Sequence, residues 1–417
     1  MNLKPDVDRL AETIEELGRF GALPGGGVTR QELTPEDAQA VAYLTGLMEG
    51  AGLTVRHDPA ANLVGRRAGS LGDSAPAVLT GSHRDSGLQC GRYDGALGVL
   101  AAIEAVRLLD EKGVATAHPI EVIAFSGEEM SRFGVGTKGS RAIVGRLTPP
   151  AMRALVDANG VSYWEALAAA GCRPEELSSR LRTRDNTKCF VELHVEQGPV
   201  LEESGKTIGV VTALAGMTHL WTTISGAADH AGATPMHMRR DAFAAAAELA
   251  LALEEEAVSQ GKNAAVATVG DVRVQPGSTV IIPGRVEMSG DIRSTDETVK
   301  QRIVTRFRDA CRSIGERRGV QVDCRTVIDE PALALSPQIR DAVEATCSQL
   351  GIPAMRMPSA ANHDARHIAA VTEAGMIFVP SVNGISHAPD EYTTIEDACV
   401  GVEVLAHVLL HLAQEDT

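Results

Sequence analysis

The stretch AVLTGSHRDSGLQCGRYDGALGVLAAIEAVRLLDEKGVATAHPIEVIAF, residues 77–125, decides the fold class. Ala77–Gly81 is a short apolar run closed by a glycine, and Ile120–Phe125 is another. Between them, Gly95–Asp110 repeats apolar residues at helical spacing. Strand, helix and strand in that order form a βαβ unit, so the chain reads as α/β with a mostly parallel central sheet.

Upstream, residues 6–20 and 35–51 have the pattern of amphipathic helices, the second capped by Thr34 and stopped by Gly50 and Gly52. Downstream, two polar helical patterns (Pro150–Asp157 and Tyr163–Ala170) make a surface excursion before a short strand at Val191–His194. From about Gly209 the texture changes. The short run Val210–Val211 leads into strands expected at Thr218–Ile224, Ala264–Val272, Arg285–Ile292 and Val320–Val327, with helices at Arg239–Ser259 and Glu297–Arg318. Two helices crossing a four-stranded sheet make an α/β sandwich of about 120 residues. The last stretch offers a helix at Ser336–Leu350, a strand at Met376–Val379 and a helix at Thr394–Ala413. That is too little for a third core. Residues 1–209 and 328–417 are therefore expected to form one domain, interrupted by residues 210–327, with hinges near Gly209 and Val327.

Composition limits the partners. Of 417 residues, 44% are hydrophobic and 23% charged, which excludes disordered, collagenous and disulfide-stapled classes. A formal charge of −16 disfavours a nucleic-acid partner. Seven scattered cysteines without a CxxC pair argue against disulfides or a cysteine zinc site, and read as buried small hydrophobes. No secretory pattern and no apolar run of about 20 residues is present, so no membrane span and a reducing cytoplasm are expected.

Four segments gather His, Asp and Glu near strand ends, where open α/β sheets bind ligands. They are His83-Arg84-Asp85 with Asp94, Glu128-Glu129, His194-Val195-Glu196-Gln197, and Ser386-His387. One histidine beside a carboxylate is ordinarily a surface or core residue; recurrence in Gly-rich turns after strands points to a metallohydrolase. The set suits Zn²⁺, Mn²⁺ or Co²⁺, and one carboxylate beyond a single tetrahedral set points to two metals bridged by an aspartate. Residues i and i+2 of a strand share a face, so Asp85 is expected to accept the His83 ring N–H and orient it.

These segments resemble, in order and over nearly the whole chain, the M20 metallopeptidase superfamily. The similarity is to its amidase branch of N-carbamoyl-L-amino-acid hydrolases, β-ureidopropionases and allantoate amidohydrolases. The motifs are GSHRDS with GRYDGALGVLAAIEA, IAFSGEEMSRFGVGTKGSRA, ELHVEQGPVLEE, DHAGATPMHMRRDA, IPGRVEMSGDIRS, NHDA and FVPSVNGISHAPDEYT. The resemblance implies two divalent ions, Zn²⁺ first, with Mn²⁺, Co²⁺ or Ni²⁺ accepted. His83 and His194 would hold one, Glu129 and His387 the other, and Asp94 would bridge them. Glu128 would be the general base, His230 would polarise the scissile carbonyl, and Gln197 and Arg293 would bind substrate, the arginine through a carboxylate. The inserted domain would be a ferredoxin-like lid carrying a homodimer interface. The expected reaction cleaves a ureido C–N bond of a small amino-acid-like substrate, releasing amine, ammonia and carbon dioxide.

Departures lie on the substrate side. Val280 stands where the family has an Asn that helps bind the substrate carboxylate, and Asn362 stands where it has a glycine. Arg84 replaces an apolar residue and either faces the metals or points away. Val280 and Asn362 imply a polar tail smaller than, or shaped differently from, that of a standard N-carbamoyl α-amino acid. They keep open an N-acyl or N-formyl amidase, or a small-peptide hydrolase. A scaffold that has lost catalysis is disfavoured, because no ligand position is missing. His57, His118, His237, His367, His407 and His411 are expected outside the site, while His363 and Asp364 would orient the neighbouring loop through hydrogen bonds.

Overall fold

The structure, a computed structural model, describes residues 1–178, 180–262 and 264–414. The chain folds as two compact units. Unit 1 comprises Met1–Thr212, Leu335–Met357 and the chain from Asn362 onward; unit 2 comprises Ala213–Ala334 with Pro358–Ala361.

Unit 1 begins with helices α1 (Val7–Arg19) and α2 (Pro35–Gly50) and strands β1 (Thr54–His57), β2 (Leu63–Arg67) and β3 (Ala77–His83). Helix α3 (Ala96–Glu111), strand β4 (Ile120–Phe125) and helices α4 (Lys138–Ile143), α5 (Pro149–Ala154) and α6 (Tyr163–Ala169) follow. Then come β5 (Thr187–Val195), α7 (Val200–Glu203) and β6 (Ile208–Leu214). Unit 2 is built from β7 (Gly216–Ser225), α8 (Ala242–Ser259), β8 (Val266–Thr268), β9 (Val272–Gln275), β10 (Arg285–Ser294), α9 (Glu297–Arg318), β11 (Gln321–Glu330) and β12 (Leu333–Ala334). The chain returns through α10 (Pro337–Leu350), β13 (Ala354–Ser359), α11 (Ala365–Ile368), β14 (Glu373–Val379) and α12 (Ile395–Gln414).

The unit 1 sheet runs β1-β2-β4-β3-β5-β14-β6. Its centre is parallel: β3 pairs with β4 and β5, and β5 with β14. Antiparallel β1, β2 and β6 flank it. Every residue of β3 and β4 is buried, as a parallel sheet covered on both faces requires. The cover includes α3, whose Leu97, Val99, Leu100 and Ile103 join the core with Val402, Leu405 and Leu409 of α12. Burying each such side chain contributes about 1.5–3 kcal/mol. Parallel pairing has a functional consequence. His83 lies opposite Phe125 and His194 opposite Phe378, so β3, β4, β5 and β14 end along one edge.

In unit 2 the order is β11-β7-β10-β8, with β9 also on β10. Helices α8 and α9 close one face, packing Leu249, Leu253, Ile303 and Phe307 on Leu220, Ile224, Val286 and Ile292. The expected strand at Ala264–Val272 is corrected to two, β8 and β9. The chain breaks at Gly270-Asp271, whose N–H groups donate to Ser289 Oγ. Gly209 lies inside β6, paired with Phe378, and Val327 lies at a bulge of β11, so neither expected hinge falls in a loop.

Candidate metal centre

Each candidate ligand is set by the way its strand ends. His83 is the last residue of β3, and Asp94 lies in the turn into α3. Gly95, with φ +65°, makes that turn possible, because a Cβ there would lie 2.3 Å from the His83 ring. Glu128 and Glu129 follow β4, His194 is the penultimate residue of β5, and His387 sits in the loop before α12.

The loop carrying Glu128 and Glu129 is held from two sides. The Asp85 carboxylate accepts the N–H groups of Gly127 (2.7 Å), Glu128 (3.2 Å) and Glu129 (3.0 Å). Lys138 Nζ donates to the Glu129 carbonyl at 3.0 Å. It also lies 2.8 Å from Glu32, and both side chains of that pair are fully buried. The expected role of Asp85 is therefore corrected. Its backbone carbonyl, not its carboxylate, accepts the His83 Nδ1–H, at 2.9 Å. Strand β3 ends at His83, so the alternation that would put both side chains on one face no longer applies.

His83 and His194 both bind a carbonyl through Nδ1, His194 that of Val195 at 2.9 Å. A carbonyl only accepts, so each Nδ1 carries a proton and each ring turns Nε2 inward, bare when the ring is neutral. Those two Nε2 atoms are 3.4 Å apart and lie 3.3 and 3.2 Å from Asp94 Oδ1. Three electron-rich atoms converging on one point suit a cation between them. The other oxygen of Asp94 faces a second group. Oδ2 is 3.0 Å from His387 Nε2, and His387 Nε2 is 3.7 Å from Glu129 Oε1. Glu129 Oε1 is buried and has no hydrogen-bond partner among the described residues. The donors thus fit two divalent ions, one on each side of Asp94, with His and carboxylate ligands typical of Zn²⁺ and its neighbours. Ligand atoms of His83, Asp94 and His194 lie within 4.8 Å of one another, and so do those of Cys90, Glu129 and His387.

Protons can stand in for an ion at the inward nitrogens: burial opposes the Asp94 charge, but hydrogen bonds from protonated His194, His387 and His83 outweigh it and hold the carboxyl well below the usual range. The Asp94 hydrogen bond, helped by the Glu129 and Glu391 charges, raises His387 to about 9. Burial, then the charges of Glu129, Asp364 and Asp85, push Glu128 well above the carboxylate range against the pull of His83.

Gln197 Nε2 donates to Asp94 Oδ2 at 2.7 Å, so this expected substrate residue lies at the centre. Arg84 points away: it is buried, with Nε and a terminal nitrogen on Asp37 (2.8 and 3.0 Å) and another on the Ala61 and Ala124 carbonyls. His363 packs edge-on against His194, ring centroids 4.6 Å apart, and Asn362 accepts from Arg366 Nε at 2.9 Å. The sequence reading assigned no role to Glu391, Lys138 or Glu32. Glu391 accepts the N–H groups of Tyr93 (3.0 Å) and Asp94 (2.9 Å) and so fixes the backbone that carries the Asp94 carboxylate. Its place in the ISHAPDEYT motif was the available signal; the Glu32–Lys138 pair had none.

The other expected residues belong to unit 2. His230 Nδ1 accepts the N–H groups of Gly232 (3.0 Å) and Ala233 (3.1 Å), which places the proton of the neutral ring on Nε2 as an outward donor. His230 bridges Ile281, beside exposed Val280. Arg293 is already occupied in part: Nε donates to Asp291 at 3.0 Å and a terminal nitrogen to the Ala360 carbonyl at 2.9 Å.

Residues 82–411 match the model of peptidase family M20/M25/M40. The chain is 44% identical over 407 residues to an N-carbamoyl-L-amino acid amidohydrolase of Geobacillus stearothermophilus, covering 98% of each. It is 38% identical over 412 residues to a ureidoglycolate hydrolase of Oryza sativa, covering 98% of this chain and 85% of that one. Among solved structures it is similar to an amidase of the hydantoinase/carbamoylase family from Burkholderia multivorans, with TM-score 0.90, 35% identity and 100% of each chain covered.

Proposed function

This chain belongs to peptidase family M20/M25/M40, and from that premise we propose that it hydrolyses a linear, non-peptide C–N bond, of ureido type, in a small amino-acid-like substrate. One observation carries the reading: the two oxygens of Asp94 face two separate ligand groups, His83 with His194 and His387 with Glu129. The names of the relatives, which act on carbamoyl amino acids and ureidoglycolate, support the ureido choice.

His83 and His194 would hold one ion, His387 and Glu129 the other, with Asp94 between them. Such ions, when bound, supply Lewis acidity and bring the pKa of water towards neutrality. The protein does the rest. Glu128 accepts the proton of the attacking water and delivers it to the leaving nitrogen. His230 donates Nε2–H to the developing oxyanion. Gln197 orients the substrate, and Arg293 uses its remaining N–H groups on a substrate carboxylate. The products are an amine and a carbamate, which decomposes to ammonia and carbon dioxide. Unit 2 acts as a lid and dimer interface in this account; a monomer with full activity in dilute solution would contradict that part.

The Val280 side chain has no hydrogen-bonding group and Asn362 is turned to Arg366, so the substrate tail differs from that of a standard N-carbamoyl α-amino acid. The same two residues favour, as a second reading, an N-acyl, N-formyl or small-peptide substrate. The test is a panel of carbamoyl, formyl, acyl and dipeptidyl amines with each metal reconstituted, scored by ammonia or amine release. Turnover of carbamoyl compounds is expected. Turnover of dipeptides alone would overturn the ureido reading. A kcat/KM of about 10⁴ M⁻¹s⁻¹ or better on ordinary N-carbamoyl-L-amino acids would overturn the altered tail.

A further inference from the structure

We infer that Cys90 is a metal ligand, its thiolate completing the position formed by Glu129 and His387. The inference rests on the two-ion reading above and names a donor that reading lacks. The Cys90 Sγ, a Glu129 carboxylate oxygen and a His387 ring nitrogen all lie within 4.8 Å of one another. Cys90 is 3% exposed, and its backbone is pinned on both sides to Val28 (2.7 and 3.0 Å), so the side chain has a fixed direction.

Two further observations support the group. A Cβ on Gly87 would lie 2.6 Å from Cys90 Sγ and 3.4 Å from Glu129 Oε1, so glycine leaves room beside both atoms. Glu129 Oε1 is itself buried and has no hydrogen-bond partner among the described residues. The thiol is not committed elsewhere, since its contact to the Leu88 carbonyl is a long 3.8 Å. Burial, then the charges of Glu129, Asp94 and Glu391, push the Cys90 thiol up to about 12, so a thiolate here needs a bound cation to hold it.

A sulfur donor changes what the position selects. The His83, His194 and Asp94 side offers only nitrogen and oxygen and accepts any of the first-row ions. Thiolate beside carboxylate and imidazole favours borderline-soft Zn²⁺ and Co²⁺ over Mn²⁺. On coordination the sulfur gives its lone pair to the ion and its proton leaves to solvent. The expectation that no cysteine joins the ligand set, drawn from the absence of a CxxC pair, is revised: one cysteine delivered by a tight turn needs no partner cysteine.

The test is spectroscopic. Metal-free wild type is titrated with Co²⁺ to two equivalents, and the near-ultraviolet thiolate-to-Co²⁺ charge-transfer band is followed with the visible ligand-field bands. The band is expected with one of the two equivalents. Cys90→Ser is expected to lose it while the visible bands persist, and its preference for Zn²⁺ over Mn²⁺ in competition dialysis should fall by about tenfold or more. Bound Co²⁺ without a charge-transfer band in wild type would overturn the assignment and leave the two-ion reading intact. So would an unchanged band in Cys90→Ser, because another cysteine would then be its source. Failure of wild type to bind Co²⁺ at all would sink the two-ion reading and this inference with it.

Discussion

The two units carry their chemistry in opposite ways. In unit 1, His83, Asp94 and His194 are no more than 5% exposed, and each is fixed by a backbone or carboxylate partner. In unit 2, Val280 is 61% exposed and His230 is held by its own turn. Metal binding needs several donors at one point before the ion arrives, and only a buried, hydrogen-bonded frame fixes them. Substrate recognition needs a face that changes at little cost to the fold. Of the two positions read from the sequence as departures, Val280 lies on that exposed face of unit 2, whereas Asn362 belongs to unit 1. His387, more than half exposed, is the exception in unit 1.

The contrast can be broken first by chemistry. Glu128→Gln should lower kcat by about 10²–10⁴-fold with bound metal unchanged; activity equal to wild type on a turned-over substrate would remove Glu128 as the base. A stability pair comes next. Arg84→Ala leaves the buried Asp37 without its partner and should cost unit 1 about 3–5 kcal/mol in denaturant unfolding. Glu248→Ala breaks half-exposed contacts to Arg317 and Arg318 in unit 2 and should cost no more than about 1 kcal/mol. Equal losses would erase the distinction between the two frames.

A smaller effect depends on pH. Burial, resisted by Lys138, raises Glu32 from 4.5 to about 7. The folded state therefore binds the extra proton, so the stability from this group is complete below about 4.5 and is lost as pH rises through about 7. The melting midpoint of metal-free protein should fall over that window, and less steeply in Glu32→Gln; identical slopes would refute the assignment. The smallest change is expected from Val280→Asn, which restores an amide on the exposed face. It should raise kcat/KM on N-carbamoyl α-amino acids by about 2–10-fold, the worth of one neutral hydrogen bond. No change would mean that position 280 does not read the tail.

What the sequence revealed follows the same division. The β3-α3-β4 unit was legible because its apolar runs are long and its helix strongly periodic. Strands β1 (TVRH) and β2 (LVGRR) were not, because short mixed runs look like loops until a partner strand is known. The convergence of the candidate ligands was legible because most of them sit in their own motif at or just after a strand end. The residues that hold them were not. Asp85 looked like a ring acceptor, yet its carboxylate binds a loop 42–44 residues away. Glu391 reaches Asp94 across 297 residues of sequence, a distance that no local pattern reports.

The central claim is that Asp94 joins two ion positions, and metal stoichiometry tests it most directly. Metal-free wild type and Asp94→Ala are dialysed against Zn²⁺, and metal per folded chain is measured by mass spectrometry. The account predicts two ions per wild-type chain and neither position retained in Asp94→Ala, with unit 1 still folded by circular dichroism. Two ions held by Asp94→Ala, or a single ion in wild type at saturation, would contradict it.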